Sequence, residues 1–293
     1  MSDALLPPLT ERRVLANGIH LHLVEAGPAA GPPVILLHGF PEFWYGWRKQ
    51  IGPLAAAGYR VIVPDQRGYN TSDKPPGVQE YNLDAVAGDC VGLIEALGYQ
   101  QATIVGHDWG AAAAWWAAAK FPERITRLAI LNVPHPVVMR NALRKNFSQL
   151  RKSWYMFALQ IPWLPERMIS RKRCQPLADS LVTTSRPGTF TPDELEQYRA
   201  AWMQPGALTA TINWYRAAMR HPPAGGTNPR IRVPTLIIWG ALDRFCNREL
   251  APASLGMCER GRLEMIEEAT HWVQHEEPER VNRLLLDFLT EKI

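Results

Sequence analysis

The most restrictive feature of this sequence is a succession of short apolar runs separated by stretches with helical spacing. Residues 34–37, 59–63, 102–105 and 235–239 are almost wholly apolar. Strands covered on both faces of a parallel sheet have this composition, because neither face meets water. Residues 19–24 alternate with period two instead, which fits a strand with one wet face. Between these runs, Val86, Cys90, Leu93, Ile94 and Leu97 recur at helical spacing, as do Val281, Leu284, Leu285, Phe288 and Leu289. Alternating strands and helices predict a doubly wound, mostly parallel α/β sheet.

The alternation breaks after Pro134-His135-Pro136 and resumes at a strand expected to begin near Arg232. The intervening stretch is helical in pattern. Thr191-Pro192-Asp193-Glu194 forms a capping box with proline at the first helical position, and Pro205-Gly206 separates that helix from the next. We therefore expect an inserted helical domain over 135–221, with the sheet domain formed by 1–134 and 222–293. In open α/β sheets ligands bind at the carboxyl ends of the strands, so such an insert would act as a lid.

Composition narrows the partners. Lys and Arg number 32 against 28 Asp and Glu, a net +4, so the excess that grips a phosphate backbone is absent and no nucleic-acid partner is expected. No run approaches the ~20 apolar residues of a membrane span, so no membrane partner is expected either. The first residues lack a basic segment followed by an apolar stretch, which makes the cytoplasm the expected location. Four cysteines without a CxxC pair read as buried thiols, not a disulfide framework, and neither metal nor cofactor is expected. The pattern does not distinguish a monomer from a homodimer. The 11 tryptophans suggest an aromatic-lined cavity, for which Phe43, Trp44, Trp109, Trp154, Phe157, Trp163, Trp202 and Trp214 are candidates. Arg140, Arg144, Lys145, Arg151, Lys152 and Arg171-Lys172-Arg173 concentrate charge in the first half of the insert, where they read as a solvated helix face.

Chemistry is expected in the loops that follow strands. Directly after the run 102–105 comes Gly106-His107-Asp108-Trp109-Gly110 and then four alanines. This has the form of a nucleophile elbow, with glycines two before and two after the strained central residue. The central residue is aspartate. A carboxylate that displaces a leaving group at saturated carbon forms an ester, which water can then cleave on the enzyme's own side chain. Serine in that position would form a dead-end ether. Asp108 therefore points to an electrophilic sp³ carbon, as in an epoxide, an alkyl halide or a haloacid. Ester cleavage needs a base and an orienting acid, and Asp243 and His271 follow strands in the chain order this architecture uses. His275, four residues on, reads as exposed. The turn His38-Gly39-Phe40-Pro41 can present the Phe40 N–H, which with the Trp109 N–H would form an oxyanion hole.

His38-Gly39-Phe40-Pro41, the stretch from Asp65 to Pro75, Gly106-His107-Asp108-Trp109-Gly110 and Ala269-Thr270-His271-Trp272 resemble the motifs of soluble epoxide hydrolases of the α/β-hydrolase superfamily. The likeness runs nearly end to end. It implies two lid tyrosines that hold the epoxide oxygen and protonate the departing alkoxide. Ser153-Trp154-Tyr155 through Pro162 resembles the first tyrosine segment, and Asn213-Trp214-Tyr215-Arg216 the second. Independently, Leu208, Ile212, Tyr215 and Met219 share one helix face. The expected site is thus catalytic Asp108, His271, Asp243, Tyr155 and Tyr215, the Phe40 and Trp109 backbone, and substrate contacts from Phe43, Trp109, Trp154 and Trp214. A small apolar or aryl epoxide would react with water. The alternatives are a haloalkane dehalogenase with the same Asp/His/Asp machinery and a non-catalytic ligand-binding member of the fold. A halide leaves without a proton and needs only N–H donors, commonly from tryptophans, and dehalogenases sometimes place asparagine where this chain has Phe40. Fluoroacetate dehalogenase-like enzymes carry arginines shortly after the nucleophile, and 109–114 contains none.

Overall fold

The computed structural model describes residues 6–223 and 229–291. Eight strands form one sheet: β1 (Thr10–Ala16), β2 (Ile19–Ala26), β3 (Pro33–Leu37), β4 (Arg60–Pro64), β5 (Ala102–His107), β6 (Ile125–Leu131), β7 (Thr235–Gly240) and β8 (Gly261–Ile266). Their spatial order is β1-β2-β4-β3-β5-β6-β7-β8. β2 runs antiparallel to both β1 and β4, whereas β3 to β8 are mutually parallel. This is the doubly wound, mostly parallel sheet the apolar runs predict. β1 was not foreseen, because Thr10-Glu11-Arg12-Arg13 is fully exposed and carries the charge typical of an edge strand. The strand expected near Arg232 begins instead at Thr235, after Pro234, which has no N–H to give to a ladder.

Side chains of β3 alternate between the two faces. Val34 and Leu36 pack with Ile51 and Leu54 of α1 (Arg48–Ala56). Ile35 and Leu37 pack with α2 (Leu83–Ala96) and α3 (Trp109–Lys120). Among the described residues between β6 and β7 lie seven helices: α4 (Pro136–Lys145), α5 (Phe147–Lys152), α6 (Trp154–Ala158), α7 (Leu164–Ile169), α8 (Arg171–Thr184), α9 (Pro192–Trp202) and α10 (Ala207–Arg220). The capping box at Thr191 and Glu194 forms in both directions and fixes the start of α9. α11 (Leu250–Leu255), α12 (Val273–Glu276) and α13 (Pro278–Thr290) complete the chain. Val281, Leu285 and Phe288 of α13 pack on the α1 face. Cys90, Cys174 and Cys246 are buried, Cys258 is half-buried, and all are free thiols. Among the described residues no helix is long and apolar enough to cross a membrane.

β5 turns into α3 through Asp108, whose backbone stands at φ 49°, ψ −124°, a conformation non-glycine residues rarely adopt. Such a sharp turn forces the helix start against the neighbouring strand end. A β-carbon on Gly110 would lie 2.2 Å from the Leu37 carbonyl oxygen of β3, and one on Gly106 would lie 2.5 Å from the Gly110 carbonyl oxygen. Both obstacles are backbone and cannot rotate away. Gly110→Ala should therefore destabilise the fold by about 1–3 kcal/mol through overpacking. Chemical denaturation measures it, and an unchanged midpoint would refute the close-approach argument.

Candidate active site

The elbow lifts Asp108 above the carboxyl ends of the central strands. Its carboxylate does not cap α3. Instead Oδ1 accepts the backbone N–H of Phe40 at 2.7 Å, and Oδ2 lies 3.5 Å from His271 Nε2. The Trp109 N–H, at the first position of α3, belongs to the set of helix N-terminal donors that have no partner within the helix. One carboxylate oxygen thus rests on the Phe40 N–H while the other faces His271.

His271 follows β8, and its Nδ1 meets Asp243 Oδ2 at 2.8 Å. Asp243 is fully engaged. Its Oδ1 accepts the N–H groups of Phe245 and Cys246 at 2.6 and 2.9 Å, and Oδ2 also accepts from Asn132 Nδ2 at 2.8 Å. Asn132 in turn accepts the Gly240 N–H at 2.9 Å, which ties the end of β6 to the end of β7. Burial works against ionising Asp243 and Asp108, yet both carboxyls stay below their ordinary value because His271 faces each of them. Burial likewise opposes charging His271, but the flanking carboxylates win and raise its imidazole to about 10.

Tyr155 on α6 and Tyr215 on α10 meet edge to face, with ring centroids 5.9 Å apart. Gln160 Nε2 donates to the Tyr215 carbonyl at 3.0 Å, and Arg216 Nη2 to the Ile161 carbonyl at 2.7 Å, so α6 and α10 are stitched together just beside the pair. Burial, then the charge on Asp108, pushes both phenols well above their ordinary value and keeps them protonated. Two cavities reach Asp108, of about 460 and 700 Å³. Asp108, Tyr155, Tyr215 and Phe245 line both, and so stand where the two lobes meet. Their volumes fall in the range of small-molecule sites.

Trp109 lines the first lobe and Trp154 the second, while Phe43 and Trp214, expected among the walls, line neither. Phe43 is buried against Tyr45 and Tyr198, and the Trp214 indole donates to the Arg67 carbonyl at 3.1 Å. Trp202 is also core, donating to the Pro41 carbonyl, and Trp44, Phe157 and Trp163 lie outside both cavities. Phe245, Trp116 and Trp272 take wall positions that no sequence signal marked.

His275 is buried, not exposed as its place after His271 suggested. Its Nε2 meets Glu42 Oε1 at 2.6 Å, and burial drives its imidazole down to about 4, so it donates to Glu42 as a neutral ring. Glu42 also accepts from Tyr198 at 2.9 Å and from Gln274 at 3.1 Å. His107 Nε2 reaches the His271 carbonyl at 2.9 Å, with Nδ1 3.2 Å from Glu42. Arg48 joins His275 Nδ1 at 3.2 Å to Glu194 of α9 at 2.5 Å. This buried network, running from the His271 backbone to α9, escaped sequence reasoning. Its one available signal was the acidic Glu42 directly after His38-Gly39-Phe40-Pro41.

Because folding raises the His271 pKa from 6.5 to about 10, its contribution to stability is complete below 6.5 and disappears as pH climbs through about 10. The depressed Asp108 and Asp243 contribute above their ordinary value of 3.8 and lose that contribution as pH falls. Between about pH 7 and 10, the thermal midpoint of the wild type should therefore fall more steeply than that of His271→Gln. Parallel curves in a pH series of thermal melts would contradict the charge arrangement.

A family model described as alpha/beta hydrolase fold matches residues 32–278. The AB hydrolase superfamily protein YfhM of Bacillus subtilis is 45% identical over 94% of this chain and 96% of its own length. Epoxide hydrolase 4 of Homo sapiens is 37% identical, over the whole of this chain and 82% of its own. Among solved structures, an epoxide hydrolase of Bacillus megaterium in complex with an inhibitor superposes with TM-score 0.87 at 30% identity, covering 96% of this chain and 100% of that one. The chain belongs to the α/β-hydrolase family and, within it, to the epoxide hydrolases.

Proposed function

We propose that this enzyme opens apolar or aryl epoxides to vicinal diols through a covalent ester on Asp108, beneath a lid formed by residues 135–221. The observation that carries the reading is the asymmetric setting of the Asp108 carboxylate beside two tyrosines kept protonated, Tyr215 buried and Tyr155 half-buried. Oδ2, free of the Phe40 donor, attacks an epoxide carbon. The C–O bond of the ring breaks, and Tyr155 or Tyr215 gives its proton to the departing alkoxide. Oδ1, on the Phe40 N–H at 2.7 Å, becomes the ester carbonyl oxygen.

Esterification removes one of the two negative charges that hold the His271 proton. Its imidazole releases that proton, which balances the one the tyrosine handed over, and becomes a base. His271, oriented by Asp243, then takes a proton from water, and the resulting hydroxide attacks the Asp108 carbonyl carbon. The oxyanion gathers on the Phe40 and Trp109 N–H groups. Collapse expels the diol, with His271 giving its proton to the leaving oxygen, and the Asp108 carboxyl then passes its own proton to His271, which restores both charges. The substrate class agrees with a mutant of the Bacillus megaterium enzyme, TM-score 0.86, complexed with its product (R)-3-[1]naphthyloxy-propane-1,2-diol. A lobe on each side of Asp108 gives room for substituents on either epoxide carbon.

The two half-reactions separate by substitution. Asp108→Ala should form no diol from styrene oxide. His271→Gln should slow turnover about 10²–10⁴-fold and accumulate an adduct, seen as the added mass of one substrate on the intact protein. An active Asp108→Ala protein would sink the mechanism.

Tyr155→Phe combined with Tyr215→Phe should abolish diol formation. Wild type assayed beside a 1-bromoalkane should yield diol without halide. Halide without diol would move the enzyme to the dehalogenases and leave the tyrosines as packing residues.

A further inference from the structure

We propose that the exposed face of α5, α6 and α7 is a docking surface for an anionic phospholipid membrane, with the larger cavity opening into it. Burial in the helical segment leaves out side chains that a water-facing lid has no reason to carry. Phe147 is 79% exposed, Trp154 and Trp163 67%, Met168 50%, Phe157 48% and Ile161 46%. Residues 147–168 hold seven of the eleven exposed large apolar side chains among the described residues. Scattered singly, such side chains mean little, whereas a cluster of this kind marks an interaction site.

The cluster is continuous. Trp154 and Phe157 stand three residues apart on α6 and so neighbour one another, as do Phe147 and Arg151, four apart on α5. Arg151, Trp154, Ile161 and Met168 all line the larger cavity and are exposed, which puts them at its rim. Trp163 leads into α7 from a left-handed backbone position, φ 52°, which a residue with a β-carbon adopts at a cost. That cost is spent on an indole that packs mostly against solvent. Amphipathic indoles favour the headgroup level of a bilayer.

Charge decides which partner fits. Between 136 and 173 there are nine Arg and Lys residues and a single carboxylate, Glu166. Glu166 is taken by Arg216 at 2.6 Å. Among the described residues, Lys145, Arg151, Arg167, Arg171 and Lys172 form no ion pair. This segment has a net +8 in a chain of net +4, so the remaining residues are net −4. The molecule is therefore electrically polarised, and an anionic surface would orient it lid first. A second copy docked by two-fold symmetry would bring the same cations face to face, which disfavours self-association here. Basic side chains ringing exposed Trp and Phe are the composition of an interfacial anchor that lies on a bilayer without crossing it. Apolar epoxides dissolve in bilayers, so docking would bring the cavity mouth to its substrate. That consequence rests on the epoxide reading, whereas the docking itself does not.

Sedimentation of the full chain with vesicles tests the surface. Vesicles of phosphatidylcholine containing about one quarter phosphatidylglycerol should carry the protein down in low salt. High salt should release it, and phosphatidylcholine alone should bind it at least tenfold more weakly. Phe147→Ser with Trp163→Ser, and separately Lys145→Glu with Arg167→Glu, should each lower the partition coefficient at least tenfold. One cation near such a surface is worth roughly fivefold. None of these four side chains lines either cavity, so turnover of a water-soluble epoxide without vesicles should be unchanged and vouch for folding. Wild type left in the supernatant, or variants that sediment like wild type, would overturn the proposal. So would light scattering that shows the wild type dimeric and the variants monomeric, which would assign the face to a second copy. A chain that binds vesicles yet opens no epoxide would defeat the proposed function and leave the docking surface standing.

Discussion

An imidazole held between two buried carboxylates governs this structure. Three ionisable groups taken out of water are tolerable only if each charge faces an opposite one and the remaining lone pairs find donors. Asp243 meets that demand with two backbone N–H groups, Asn132 and His271. Asp108 meets it with only Phe40 and the longer approach of His271. The difference accords with the proposed roles, in which the saturated carboxylate orients the ring and the one with an unspent oxygen reacts. Because each charge props up the others, neutralising Asp108 in the proposed ester would lower the basicity of His271.

The same need for satisfaction extends beneath the site. Glu42 is buried among His107, His275, Gln274 and Tyr198, and Arg48 links that cluster to Glu194 on α9. Contacts of this kind are costly to leave half-made. They join the backbone of His271 to α9 through His107, Glu42, His275 and Arg48. Within the inserted segment, Gln160 and Arg216 bind α6 to α10 beside the tyrosine pair.

Aromatic residues divide into three populations that composition alone merges. Trp202 and Trp214 are buried beams whose indole N–H groups meet backbone carbonyls. Trp109 and Phe245 wall the lobes around Asp108. Phe147 and Trp163 face outward on a basic surface. The first population supports the fold, the second lines the cavities, and the third meets solvent.

The sequence by itself determined the architecture and pointed to the candidate reactive groups. Apolar runs of strand length can be buried only in a sheet covered on both faces, and a glycine-flanked aspartate at a strand end can stand only in a tight elbow. Asp108, Asp243 and His271 were legible because each follows a strand in a fixed chain order. Both candidate tyrosines came from the resemblance, with helical phase as added support for Tyr215 alone. Long-range pairing is written in no local pattern, and there the tertiary structure decided. It buried His275 against Glu42, recruited Asn132 behind Asp243, and moved Phe43 and Trp214 from the pocket into the core. It also turned Trp163 outward. Local spacing fixes which face of its own element a side chain occupies, but what that face meets depends on segments a hundred or more residues away, as Glu42 and His275 do across 233.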